Sequence, residues 1–211
     1  MSKSENISLS VIKRLPRYYR FLGSLKKQGI VRISSRELSE RMGLTASQIR
    51  QDFNCFGGFG QQGYGYIVEQ LHEEIGKILG VGRRMKAVLI GAGNLGRAIA
   101  THMEFERNGF KLIGLFDRDE KVRKNTVGGM KVMSMDELDG FCRENKPDIA
   151  IICLPDSSVA AVTERLISLG VNGFWNYSHY DIHLNFPEAK VESVHLSDSL
   201  LVLGYNMKNC E

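Results

Sequence analysis

Gly91, Gly93 and Gly96 stand in the run GAGNLG, directly after the short apolar stretch Lys86-Ala87-Val88-Leu89-Ile90 and directly before the helix-forming RAIATHMEF. A strand that enters a helix through G-x-G-x-x-G makes an anion site: the first glycine allows a tight turn, the second lets backbone N–H groups approach a pyrophosphate, and the third lets helix and strand pack closely. Ala92, Asn94 and Leu95 fill the loop between them, and a second apolar strand, Lys111 to Phe116, ends in Asp117, 21 residues past Gly96. A carboxylate there suits the hydroxyls of an adenosine ribose and repels a 2′-phosphate, which favours NAD(H) over NADP(H); the neighbouring Arg118 pulls the other way. Two further strands, Asp148 to Leu154 and Val171 to Trp175, bring Leu154, Pro155, Asn176 and Tyr177 to strand ends, where they are candidates to line the nicotinamide half of the site.

A second set of polar residues lies upstream. Ser34 with Glu37 three residues on, and Thr45 with Gln48, are two helix-opening signals; between them SRELSERM stops at Gly43. Two short helices joined at Gly43-Leu44 read as a helix-turn-helix, and the first turns of the second offer Ser47, Gln48, Arg50 and Gln51 to base edges. The stretch GGFGQQGYGY then allows a tight hairpin, a wing carrying Gln61, Gln62 and Tyr64. Before the pair, Ile12, Leu15, Tyr19, Leu22 and Leu25 recur at helical steps from Ser8 to Gln28, with Pro16 expected to start or kink that helix.

These elements divide a chain of 211 residues into an amino-terminal helical domain, 1–80, a Rossmann-type domain with a doubly wound parallel sheet, 81–194, and a tail, 195–211. The fold class is α/β. Charge follows the division: residues 1–80 hold 12 Lys and Arg against 7 Asp and Glu, and residues 81–211 hold 16 against 17, so the first part is the one built to meet a polyanion. The apolar fraction of 43% is that of a globular protein, and no apolar run approaches the roughly 20 residues of a membrane span. Cytoplasmic location is expected. Cys55, Cys142, Cys153 and Cys210 are scattered without a metal-ligand pair and read as isolated buried thiols, although Cys55, at the end of the second helix of the pair, could take a thiol input. His179, His183 and His195 sit in no catalytic motif, and only a short segment follows the last Rossmann element, so no enzyme is expected. That segment, LSDSLLVLGYNM, is too apolar to be left in water and should dock on its own domain or on a partner. A small NAD-dependent oxidoreductase and a CoA-binding regulator are the competing readings.

Over nearly its whole length the chain resembles the Rex family of redox-sensing transcriptional repressors, through RLPRYYRFL at 14–22, SSRELSE at 34–40, QIRQDF with FGGFGQQGYGY at 48–66, GAGNLG at 91–96, LFD at 115–117, GVNGFWNYS at 170–178 and VHLSDSL at 194–200. The resemblance implies a homodimer of winged-helix domains on an inverted-repeat operator, released when NADH binds, with the carboxy-terminal helix exchanged between partners. It also implies DNA contacts from Arg14 and Arg17, an additional cofactor contact from His102, and a relay between domains through Arg20, His102 and His195. Gln51 departs from the basic residue usual there, and the two histidines stand where some members have a tyrosine and an acid, which suggests pH-dependent switching.

Overall fold

The computed structural model describes residues 7–57 and 64–208, and it divides into two compact units, Met1–Gly82 and Arg83–Glu211. In the first unit α1 (Leu9–Lys27) buries Val11, Leu15, Tyr18, Leu22 and Leu25. The buried stripe is therefore rotated slightly from the expected one: Val11 and Tyr18 replace Ile12 and Tyr19, and Ile12 faces water. Pro16 lies inside α1 and neither starts nor ends it. Its ring removes one N–H from the helix, and the apolar stripe running past it on both sides carries the helix through.

β1 (Arg32–Ile33) leads into α2 (Ser35–Met42), whose capping box is formed: the Ser34 hydroxyl accepts from the Glu37 N–H and the Glu37 carboxylate accepts from the Ser34 N–H. α2 ends at Gly43 in the left-handed conformation, φ 63°, and α3 (Ala46–Asn54) opens with Thr45 accepting from the Gln48 N–H. β2 (Tyr66–Ile67) follows the glycine-rich stretch and pairs antiparallel with β1, Ile33 opposite Tyr66. The described pairing thus runs back to the strand before α2, whereas the sequence suggested a hairpin within the glycine run. Gln61 and Gln62 lie outside the described residues. Gly65 is required at the join, since its φ is +69° and a Cβ would stand 2.7 Å from the Ile33 carbonyl oxygen. α4 (Val68–Leu79) closes the unit against α1, with Tyr19 and His72 stacked at 4.1 Å. Leu15, Tyr18, Leu22, Ile49, Phe53, Leu71 and Ile75 form one core from all the longer helices.

The second unit runs β3 (Met85–Ile90), α5 (Asn94–His102), β4 (Phe110–Asp117), α6 (Glu120–Arg123), β5 (Thr126–Val127), β6 (Met130–Ser134), α7 (Leu138–Asn145), β7 (Ile149–Ile152), α8 (Asp156–Ser168), β8 (Gly173–Asn176), α9 (Ile182–Asn185), β9 (Lys190–Ser193) and α10 (Leu196–Lys208). Its sheet has the order β5-β6-β4-β3-β7-β8-β9, parallel except for the short edge strand β5. Strand alternation splits the core in two. Val88 and Ile90 of β3, with Ala150 and Ile152 of β7, face α7 and α8 on one side, while Ala87 and Leu89, with Ile151, face Ile99 of α5 on the other. The chain leaves β3 in opposite directions along the sheet, to β4 and to β7, so the switch point lies between β3 and β7, at the carboxyl ends of both. α10 buries none of its side chains; Leu200, Leu201, Val202, Leu203, Tyr205 and Met207 are all exposed. Among the described residues no helix is long and apolar enough to cross a membrane.

Candidate nucleotide and nucleic-acid sites

The three glycines have separate physical duties. Gly91 has φ +97°, and a Cβ on it would stand 2.3 Å from the Cys153 carbonyl oxygen across the switch point. A Cβ on Gly96 would stand 1.9 Å from the Gly91 carbonyl oxygen, so α5 can approach its strand only through glycine. Gly93 is different: a Cβ there meets nothing within 4 Å, and the space in front of it is open. It is the N-cap of α5 and supplies no side-chain cap, which leaves the helix's first N–H groups, at Asn94 and Leu95, facing outward for an anion.

Asp117 ties the loop to β4. One carboxylate oxygen accepts the Ala92 N–H and the other the Asp119 N–H, each at 2.8 Å, and each oxygen keeps a lone pair for a further donor. Arg118 is exposed beside it. An open glycine in front, an uncapped helix start and a carboxylate at the adjacent strand end fit a dinucleotide. His102 stands apart from the loop and from Asp117. It is the exposed last residue of α5, about 12 Å along the helix from Asn94.

At the ends of β7 and β8 the expected residues separate. Pro155 is exposed as the N-cap of α8, and Tyr177 is half-buried against Trp175, its hydroxyl pKa pushed up to about 12, chiefly by burial and then by Cys153. Asn176 is fully buried and its amide is spent on the turn: Nδ2 donates to the Tyr180 carbonyl at 2.9 Å, and Oδ1 accepts the Ser178 N–H and hydroxyl. It shapes the rim and does not line it, which corrects the expectation. The His179 N–H donates to Asp156 at the start of α8, and its ring stacks on His195 at 5.3 Å, with Asp198 3.5 Å from His195 Nδ1. Sequence spacing carried no signal for this histidine pair, whose members are 16 residues apart.

In the helix-turn-helix, Ser47, Arg50 and Gln51 are exposed and Gln48 is half-buried. Arg50 donates to the Ser35 hydroxyl at 3.1 Å, and Tyr64 is exposed beyond the glycine run. Arg14 is not a free cation. Its Nε and Nη2 donate to the two oxygens of Asp52, each at 2.7 Å, and the Tyr18 hydroxyl donates to the same carboxylate. Asp52 is 2% exposed, so this charge is held inside by Arg14 and Tyr18, and Arg14 is corrected from a DNA contact to an anchor of α3. Arg17 donates to the Met42 carbonyl at the end of α2, and Arg20 is exposed on α1. Cys55, expected buried, is exposed; Cys142 and Cys153 are not, and burial raises both thiols, Cys153 to about 12.

A family described as "Putative DNA-binding protein N-terminus" matches residues 6–54, and one described as "CoA binding domain" matches residues 82–180. The chain is 47% identical over its full length, and that of the relative, to the redox-sensing transcriptional repressor Rex of Clostridium beijerinckii. It is 46% identical to Rex of Thermoanaerobacter pseudethanolicus, with all of this chain and 94% of the relative covered. The chain belongs to the Rex family of redox-sensing transcriptional repressors. Among solved Rex-family structures, that of RSP with β-NAD+ and operator DNA is similar at a TM-score of 0.89 and 45% identity, covering 98% of this chain and 94% of that one. The structure of RSP with β-NADH matches at 0.88 and 43%, covering 96% and 95%. Rex membership makes the chain a regulator and not an oxidoreductase, with a DNA-binding domain followed by a Rossmann-type sheet.

Proposed function

We propose that this Rex protein is a cytoplasmic homodimer that represses transcription from an inverted-repeat operator and is released from it by NADH, with NAD+ competing for the same site. The observation that carries the reading is the pairing, in one chain, of a doubly capped helix-turn-helix with a glycine loop anchored to Asp117. Residues 1–80 would hold DNA, with Ser47, Gln48, Arg50 and Gln51 toward base edges and Arg17 and Tyr64 toward the backbone. Residues 81–194 would hold NAD(H): the amides from Gly93 to Leu95 the pyrophosphate, Asp117 the adenosine ribose, and Pro155 and Tyr177 the nicotinamide half. Residues 195–211 would be exchanged between protomers, and the exposed apolar side chains of α10 support that role. Arg20, His102 and His195 would relay the state between domains.

The nucleotide supplies a signal here and undergoes no chemistry. A ligand moves a two-state equilibrium only by binding one state better, and a shift from 1:99 to 99:1 takes about 5.5 kcal/mol of difference. The match to a CoA-binding family supports a second ligand class for the same fold. An anisotropy titration of the protein on its own upstream DNA at fixed salt, with NADH, NAD+, NADPH and CoA in turn, separates the two. Release by NADH alone is expected. Release by CoA, or binding indifferent to all four, would refute the reading.

A further inference from the structure

Arg17, Arg20, Phe21 and Ser24 recur at three- and four-residue steps on α1 and so form one stripe, which meets Arg41 and Met42 in the last turn of α2. The six residues line a cavity of about 310 Å3 within the first unit. No carboxylate lines it. Arg17, Arg20 and Arg41 enter none of the ion pairs found among the described residues. Glu37, one turn before Arg41, spends one oxygen on its capping box, taking both the Ser34 N–H and hydroxyl; its carboxyl is held below the ordinary range chiefly by those bonds and, to a smaller degree, by the Arg41 charge, so Arg41 is offset only in part.

The polar lining consists of donors. Arg17 is steadied by its bond to the Met42 carbonyl, which occupies the acceptor offered there, and its remaining N–H groups are left over. The Ser24 oxygen accepts from Gln28 Nε2 at 3.3 Å, leaving its own hydrogen to donate. Phe21 and Met42 add an apolar side. Three guanidiniums and a hydroxyl lining one concave space, with no carboxylate in its wall, match a doubly charged tetrahedral oxyanion, which takes several forked hydrogen bonds at once. We infer that this cavity binds a phosphate group, supplied either by a free phosphorylated metabolite or by the backbone of bound DNA. The site is separate from the Asp117 loop and does not rest on the nucleotide reading; its DNA arm rests on the operator reading, whereas its free-phosphate arm rests on neither.

The test uses the full-length protein saturated with NAD+, which occupies the other anion-binding loop. Its melting temperature is followed against inorganic phosphate and against chloride at equal ionic strength, in the wild type, Arg41→Ala and Arg41→Gln. Saturable stabilisation by phosphate is expected in the wild type and its loss in both variants, which should melt as the wild type does in chloride. The salt dependence of operator binding names the source: a slope shallower by about 1 in the variants assigns the phosphate to DNA, and an unchanged slope assigns it to a free ligand. Stabilisation that survives both substitutions, or no phosphate-specific stabilisation with an unchanged slope, overturns the inference. NADH-driven release measured on the same variants reports on the nucleotide site independently.

Discussion

Arg14 on α1 grips the buried Asp52 on α3 with two parallel hydrogen bonds of 2.7 Å, across 38 residues of chain and at the margin of the first unit's core. The pair restrains how α3 is turned about its axis, and Ser47, Arg50 and Gln51 are exposed on the same helix.

Arg14→Met should strand the buried Asp52 charge and destabilise the first unit by about 3–5 kcal/mol, with operator binding lost in parallel. Arg14→Met with Asp52→Leu should recover much of that stability. Denaturant unfolding of both variants checks this; a single variant as stable as the wild type would show that the pair does not hold α3.

Arg50→Ala should weaken operator binding by about 1–3 kcal/mol while leaving the NADH dissociation constant unchanged. Anisotropy on labelled operator and NADH fluorescence read the two halves separately. Equal loss of both would place Arg50 in the fold and not at the DNA.

Gly93→Ala and Gly96→Ala should part company. The first has open space for its methyl group and should melt like the wild type while binding NADH at least about tenfold more weakly, a loss of ~1.4 kcal/mol. The second drives a Cβ into the Gly91 carbonyl and should fail to form the second unit. Calorimetry with and without NADH distinguishes them.

Asp117→Ala removes the acceptor for the Ala92 and Asp119 N–H groups together with the candidate ribose contact. NADH should bind more weakly and the preference over NADPH should shrink. Retained selectivity would refute the ribose assignment.

The alkaline limb of stability has a definite sign. Burial raises the Cys153 thiol from 9.0 to about 12, and burial with Cys153 raises the Tyr177 hydroxyl from 10.0 to about 12. Both hold their protons more tightly folded than unfolded. The second unit should therefore be flat below about pH 9 and lose stability as pH climbs toward about 12, and Cys153→Ala should shallow that slope. A pH-independent melting temperature over that range would contradict it.

The helix caps and the glycine loop were legible because their signals are local: Ser34 with Glu37, Thr45 with Gln48, Gly91 to Gly96. Asp117 was legible too, because its distance from the loop follows from one strand–helix–strand unit. Long-range choices were not. Nothing local to Arg14 announces Asp52, and a free guanidinium was the natural reading until α1 and α3 were packed together. Asn176 looked like a rim residue because strand ends usually carry ligand contacts; the tight turn at Ser178 to Tyr180 turned its amide inward. β9 carries Lys190 and Glu192 on a sheet edge and β5 is two residues long, so neither left an apolar run to read.

The contact between Gly96 and Gly91 bears on what a genetic screen would recover. A change that spares the fold but blinds the protein to NADH, as at Gly93, leaves a repressor that no longer lets go, and its allele should silence target promoters under every condition. At Gly96 every missense codon adds at least a methyl group where there is no room, so its alleles should instead behave as deletions and leave the same promoters open. Two glycines three positions apart would thus yield opposite phenotypes.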